Sequence, residues 1–236
     1  MTSTLTKNRL LLALPRREFE RLKPDFESIE CGYRDVLVDA DGSLDHVYYP
    51  NSGVISVVAV YADGNTIEMA TVGREGATGF QDLFGARASS ARFLVQVSGT
   101  AVRLPRSVFE RAFKELPAFR KLMFAYVHAF LEQVMLSVAC NGAHSAPQRL
   151  ARWLLMMRDR QDEDDLLLTH DLMAEMLGVH HPTVTKAVRS LQRTGAIEVR
   201  RKRVRIKNHD RLMDASCECY QLSRMRIAQH LPKTYG

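Results

Sequence analysis

Long apolar runs are missing from this chain of 236 residues. None approaches the ~20 residues that a membrane-spanning helix requires, so no membrane association is expected. The apolar patch at Leu10–Leu14 is too short for a secretory core followed by a cleavage site, which makes the cytoplasm the expected compartment. Cysteine is scarce, with Cys31, Cys140, Cys217 and Cys219 as the full set. The first two stand alone in sequence, which speaks against a disulfide framework and for buried thiols. Cys217-x-Cys219 lacks the C-x-x-C spacing of a metal-binding pair and has no second pair, although Glu218 and nearby His209 could add ligands. The expectation is therefore no metal and no cofactor.

Catalytic signatures are missing as well. There is no P-loop, no G-x-S-x-G elbow and no H-E-x-x-H. Asp39, Asp45 and His46 fall in one strand–turn region and read as surface turn residues. His180-His181 suggests a metal, but adjacent side chains on a helix do not face each other. An enzyme is not expected. Internal repeats and low-complexity segments are also lacking, and with 46% apolar and 25% charged residues the composition is that of a globular protein.

One region lacks an excess of charge of either sign. The first 144 residues carry 16 Lys/Arg and 16 Asp/Glu, whereas from Ser145 onward 17 basic residues face 11 acidic ones. The net charge of +6 thus resides in the C-terminal part, which favours a polyanionic partner for that part.

Residues 8–22 read as helical, with Leu10, Leu11, Leu14, Phe19 and Leu22 apolar and Pro15 dividing the pattern in two. Short β-type runs follow at Val36–Val38, Val47–Tyr49, Val54–Tyr61, Thr66–Val72, Phe93–Val97 and Thr100–Leu104. Turn residues separate them, among which Asp63-Gly64 predicts a hairpin. Strands of this length and spacing indicate an antiparallel barrel or jelly roll. A short helix is expected at Ser107–Leu116 and a long one from Pro117 or Ala118 to about Cys140. The long helix is apolar on more than one face and must bury two sides. One side can pack on the barrel; the other fits the same helix of a second subunit, the alternative being a central helix buried within one chain. Asn141–His144 reads as a hinge.

Beyond the hinge, Pro147 opens a helix with Leu150, Trp153, Leu154 and Met157 as its core face. An acidic loop at Gln161–Asp165 and a short strand at Leu166–Leu168 lead to Thr169, an N-cap followed by Asp171 in the first turn. Leu172, Met176 and Leu177 recur at helical spacing, and Gly178 ends that helix. Pro182 sits in the first turn of the next, whose apolar stripe is Val184, Val188 and Leu191. Thr194-Gly195 ends it, and Ala196–Val199 and Val204–Ile206 form a hairpin around Arg200–Arg203. This is a winged helix-turn-helix. Base edges fall to His181, Thr183, Thr185, Lys186 and Arg189 on the second helix. Phosphates fall to Thr169, His180, Arg200, Arg201, Lys202 and Arg203, with Arg205 alongside and Thr183 as a further candidate. The tail from His209 carries Leu212, Met213, Tyr220, Leu222, Met225 and Ile227 and suggests another helix, packed on the winged helix or the roll.

With Leu168-Thr169-His170-Asp171-Leu172-Met173-Ala174-Glu175-Met176-Leu177-Gly178-Val179-His180-His181-Pro182-Thr183-Val184 inside this order of elements, the chain resembles the Crp/Fnr superfamily of bacterial transcription regulators. The resemblance spans nearly the whole chain and is strongest from Arg149 to Ile206. It implies an α+β fold: a cyclic-nucleotide-binding-like β-roll at 1–116, a dimerisation helix and hinge at 117–144, and a winged helix with a helical tail at 145–236. It further implies a homodimer joined through the 118–140 helix, a two-fold symmetric site on double-stranded DNA, RNA polymerase as a partner, and a small-molecule effector reaching the roll. The departures lie at the nucleotide site. In Gly76-Ala77-Thr78-Gly79-Phe80-Gln81-Asp82-Leu83-Phe84, Phe80 stands about where the ribose-binding glutamate belongs. Ser89-Ser90-Ala91-Arg92 has no arginine directly before serine. Val134 and Met135 replace base-contacting hydroxyls. A buried phosphodiester without its arginine is costly, so tight binding of cyclic AMP is not expected unless Arg87 or Arg92 rearranges. The candidate effector pocket is Gly79, Phe80, Gln81, Ser89, Ser90, Arg92, Val134 and Met135. Cys31 alone near the N-terminus cannot hold the iron–sulfur cluster of other members. The competing reading is a cyclic-nucleotide or other small-ligand receptor whose main output is protein contact.

Overall fold

The structure is a computed structural model, and it describes residues 6–81, 85–161 and 163–231. Two short helices open the chain, α1 (Arg9–Leu12) and α2 (Arg16–Leu22), divided where Pro15 was expected to divide them. Leu10, Leu11 and Leu14 are buried, so the N-terminal apolar patch is part of the core. Seven strands follow: β1 (Glu27–Cys31), β2 (Val36–Val38), β3 (His46–Pro50), β4 (Val54–Val60), β5 (Thr66–Val72), β6 (Arg92–Val97) and β7 (Gly99–Pro105). They form two antiparallel sheets, ordered β1-β7-β3 and β2-β6-β4-β5. The hairpin β4–β5 turns at Asp63-Gly64, where Gly64 has φ +83°; the positive φ is why glycine suits this position.

The β4 run Val-Ile-Ser-Val-Val-Ala-Val is apolar without alternation, as expected of a strand covered on both faces. Ile55 and Val57 point into the roll with Val38, Leu44, Tyr48, Ala70, Val72 and Phe93. Val54 and Val58 point outward and join the core of the C-terminal region.

Helix α3 (Arg106–Glu115) leads to α4 (Pro117–Ala143). Phe119, Met123, Tyr126, Ala129, Gln133, Ser137 and Cys140 of α4 are buried. It continues through Asn141, Gly142 and Ala143, which the sequence had placed in a hinge, and His144 N–H still bonds the Cys140 carbonyl. The break narrows to His144 and Ser145, with α5 (Ala146–Gln161) directly after it. By length and composition α4 is apolar enough to cross a membrane, although no single uninterrupted run in it suggested this; its apolar residues divide between the roll and one bare flank.

The remaining elements are β8 (Asp165–Leu166), α6 (His170–Leu177), α7 (His181–Arg193), β9 (Ile197–Arg200), β10 (Arg203–Ile206), α8 (His209–Ala215) and α9 (Cys219–His230). The β8-β10-β9 sheet forms the wing. The tail is two helices rather than one. Ile227 and Leu231 pack into the cluster around Phe119 and Met123, so α9 covers a flank of α4, while Leu212 and Tyr220 pack under the winged helix.

Candidate nucleic-acid interface

Thr169 caps α6, its Oγ1 accepting from Leu172 N–H at 3.1 Å, and Asp171 adds negative charge to the positive end of the helix dipole. Gly178 closes α6 at φ +60°, with its N–H on the Ala174 and Glu175 carbonyls. His180 is the N-cap position of α7 and Pro182 lies in its first turn. Val184, Ala187, Val188 and Leu191 are buried against α5 and α6. The other face presents Lys186 and Arg189 as exposed cations, with Thr183 and Thr185 half-buried between them and the core. His181 is exposed and its Nε2 pairs with the Asp171 carboxylate, which ties the start of α7 to that of α6.

The wing is a tight hairpin in which Arg203 lies opposite Arg200 and Ile206 opposite Ile197. Arg201, Lys202, Arg203 and Arg205 are exposed. Lys202 takes φ +58° at the tip. Arg200 bonds Glu198 at 2.8 Å and Arg203 pairs with Asp165 at 3.4 Å. The Arg200 hydrogen bond holds the Glu198 carboxyl below its ordinary range. Thr169, although its oxygen accepts from the helix, keeps a hydroxyl proton to donate. Base-edge candidates thus lie on α7 and phosphate candidates on the elements packed beside it, the start of α6 and the wing strand β9.

The effector-pocket candidates are dispersed. Phe80 is buried and meets Tyr126 and Phe130 edge to face at 5.4 and 5.1 Å. Gly79 has φ +87° and runs against the backbone of His46; Gln81 is half-buried. Ser89 is buried and its Oγ donates to the Ala91 carbonyl, while Ser90 is exposed. Arg92 Nε turns to Asp39 at 2.7 Å, on the surface. Val134 packs toward the roll interior, but Met135 lies on the opposite, exposed side of α4. Residues 82–84 of the cassette lie outside the described residues, as does residue 162 of the acidic loop. Asp45 accepts from Ser43 Oγ at 2.6 Å, and His46 lies opposite Pro105 in the β3–β7 pairing.

What the sequence did not disclose is the joint between roll and winged helix. Glu68 of β5 accepts from Trp153 Nε1 at 3.0 Å, Ser56 Oγ at 2.8 Å and Gln96 Nε2 at 3.3 Å. Its burial raises the carboxyl to about 7, against the opposing hydrogen bonds from Ser56 and Trp153 and the charges of Arg160 and Arg152. Arg160 Nε pairs with Glu75 at 2.9 Å, and Nη2 donates to the Thr71 carbonyl at 3.1 Å and to Gln133 Oε1 at 3.3 Å. At the rim, Arg34 pairs with Glu175 at 2.9 Å while Thr66 Oγ1 donates to Glu175 at 2.6 Å. An open cleft of about 610 Å³ separates Gly64 and Asn65 of the roll from His180 and His181. A charged residue in an otherwise apolar strand, Ile67-Glu68-Met69, was the one sequence signal for this joint.

Residues 31–115 match the family described as cyclic nucleotide-binding domain, and residues 148–215 the Crp-like helix-turn-helix domain. The global nitrogen regulator of Synechocystis sp. is 27% identical over 218 residues, covering 88% of this chain and 96% of its own. That of Synechococcus elongatus is 25% identical over 212 residues, covering 86% and 94%. Among solved structures, FixK2 from Bradyrhizobium japonicum matches with a TM-score of 0.70 at 18% identity, over 81% of this chain and 98% of its own. The c-di-GMP responsive global regulator CLP of Xanthomonas campestris matches with a TM-score of 0.69 at 14% identity, over 82% and 100%.

Proposed function

We propose a mode of action for a chain that belongs to the Crp/Fnr superfamily of bacterial transcription regulators: it acts in the cytoplasm as a homodimer that reads a two-fold symmetric DNA site. The observation that carries this reading is the surface where exposed Lys186 and Arg189 of α7 lie beside the basic wing. In the major groove, Lys186, Arg189, His181, Thr183 and Thr185 would face base edges, while Thr169, His180 and Arg200–Arg203 would hold phosphates.

Dimerisation is supported by the bare flank of α4. Lys121, Phe124, His128, Leu131, Met135, Val138 and Gly142 are all exposed. Their spacing alternates between three and four residues, the repeat of a coiled-coil seam. Phe124, Leu131, Met135 and Val138 are 56%, 53%, 61% and 69% exposed. Covering the exposed part of each with its copy would contribute about 1–2 kcal/mol per side chain, before the cost of association.

Control by cyclic AMP is not part of the proposal. The site that would take the phosphate offers Phe80 wedged between aromatics and Arg92 facing Asp39. A different small molecule would act on the roll, and activation would require contact with RNA polymerase. Gel shifts of native promoter fragments at low salt test the reading: retardation is expected, and its absence for every genomic fragment removes it. Lys186→Ala should cost about 1–3 kcal/mol on the preferred site and relax its specificity, whereas Arg201→Ala should weaken all sequences alike and lower the salt slope by about one. Calorimetry with cyclic AMP should be silent, and micromolar binding would favour the small-ligand receptor.

A further inference from the structure

All four cysteines are buried, and three of them meet. Cys140 Sγ lies 3.5 Å from Cys217 Sγ, and Cys219 Sγ lies 3.7 Å from His144 Nδ1. The four donor atoms are all within 4.8 Å of one another. Cys140 and His144 stand four residues apart and so share one face at the end of α4. Cys217 and Cys219 lie on either side of Glu218, the N-cap of α9. Sequence spacing could not reveal the group, because its halves are separated by more than seventy residues. His209, the other ligand the sequence suggested, is paired with Asp210 instead.

We propose that Cys140, His144, Cys217 and Cys219 form a structural zinc site that pins the tail helix α9 to the junction between α4 and α5. Zinc–sulfur bonds of about 2.3 Å in a tetrahedron place neighbouring sulfurs about 3.8 Å apart. The Cys140–Cys217 and Cys219–His144 separations of 3.5 and 3.7 Å lie near that edge, and the remaining pairs, all within 4.8 Å, need to close by no more than about 1 Å. They are too long for a sulfur–sulfur bond of about 2.05 Å, and four donors this close converge on one ion rather than on the several irons of a cluster. Two surrounding features fit. His144 offers Nδ1 to the cysteines while its Nε2 lies 3.2 Å from the Glu218 carboxylate, an outer carboxylate that fixes the tautomer and raises the basicity of the ligand nitrogen. Three thiolates and Zn²⁺ leave one net negative charge, and binding releases three thiol protons. Arg149 and Arg152 lie within electrostatic reach of Cys140. The Nε atom of each is buried without a hydrogen-bond partner. A closed set of four protein ligands leaves no position for substrate, so the role is structural. The ion would fix the angle at the His144–Ser145 break, through which the roll and α4 connect to the winged helix.

The test uses the full chain, purified without chelator in the presence of reductant, with zinc measured by mass spectrometry. About one zinc per chain is expected. Cobalt added in its place should give thiolate-to-cobalt charge-transfer bands and the intense ligand-field bands of tetrahedral Co²⁺. Cys219→Ser should lose most of the zinc, Cys31→Ser should retain it, and Glu218→Gln should weaken binding by about 10–100-fold. The cobalt spectrum is read on the unaltered chain, so a misfolded variant does not decide the outcome. Three results would overturn the proposal: less than about a tenth of an equivalent of zinc after reconstitution, an octahedral cobalt spectrum, or a Cys140–Cys217 disulfide as the resting form in reductant.

Discussion

The winged helix presents two sets of charges, and they behave oppositely. On its outward face Lys186, Arg189, Arg201, Lys202 and Arg205 remain in water. On its inward face Arg160 is 1% exposed and is held by Glu75 and Gln133, beside the contact that Trp153 makes with Glu68 of the roll. Solvated cations can be exchanged for contacts with a polyanion at little desolvation cost. Enclosed charges hold one geometry, because their partners cannot be withdrawn without leaving a charge unpaired. The outward face therefore suits binding, and the inward face suits setting where that binding surface sits relative to the roll.

The comparison breaks most severely at Arg160. Arg160→Met leaves Glu75 uncompensated in a buried position and should destabilise the fold by about 3–5 kcal/mol, read from urea unfolding. Arg160→Met combined with Glu75→Leu should recover most of that loss. If the single and double variants are equally damaged, packing of the Arg160 stem rather than charge holds the joint.

These two faces also differ in how far they were legible beforehand. The outward face was written in local signals: Thr169 as cap, Gly178 as stop, Pro182 in the first turn, and the Val184–Leu191 stripe. The roll was legible from its short β-type runs separated by turn residues, apart from β1, whose Glu-Ser-Ile-Glu-Cys is largely exposed and offers little apolar pattern. The inward face joins residues far apart in sequence, Trp153 to Glu68 and Arg160 to Thr71. Such pairs leave no spacing to read. The same holds for Cys140 and Cys217. The α4 boundary was misplaced because Asn141-Gly142 signals a loop locally, yet those residues remain helical.

A smaller effect is expected at Glu68, where the carboxyl rises from 4.5 to about 7. Folded Glu68 keeps its proton up to about pH 7, whereas the unfolded chain releases it near pH 4.5. Between these values the folded state binds more protons, so its contribution to stability falls as pH rises and is fully lost above about pH 7. Part of the side chain still meets solvent, so the span is at most about 3 kcal/mol. Trp153 is the sole tryptophan, and its fluorescence reports on this contact directly. The expected outcome is a transition in emission near pH 7 that disappears in Glu68→Gln, along with the matching slope in denaturation midpoint. A transition that persists in Glu68→Gln would assign it to another group.

The smallest change in stability belongs to the rim. Arg34 and Glu175 are 48% and 18% exposed, and an ion pair open to water contributes about 0.2–1 kcal/mol. Arg34→Ala should therefore lower the unfolding free energy by less than about 1 kcal/mol, a shift near the limit of a denaturant titration. Its position gives it a second readout. The pair fastens α6 to the roll next to the cleft where Gly64 and Asn65 face His180 and His181, the residues that begin α7. DNA in the major groove would need the space that the hairpin tip borders. Loosening the rim should thus favour release of the winged helix and raise affinity for a promoter fragment by up to about fivefold, the factor that 1 kcal/mol allows. Raising the salt should reduce this gain, because the pair itself is screened. An Arg34→Ala protein that binds DNA less tightly than the unaltered chain would mean that the docked arrangement is the one that reads DNA, and the inward face would then serve to present the outward one rather than to restrain it.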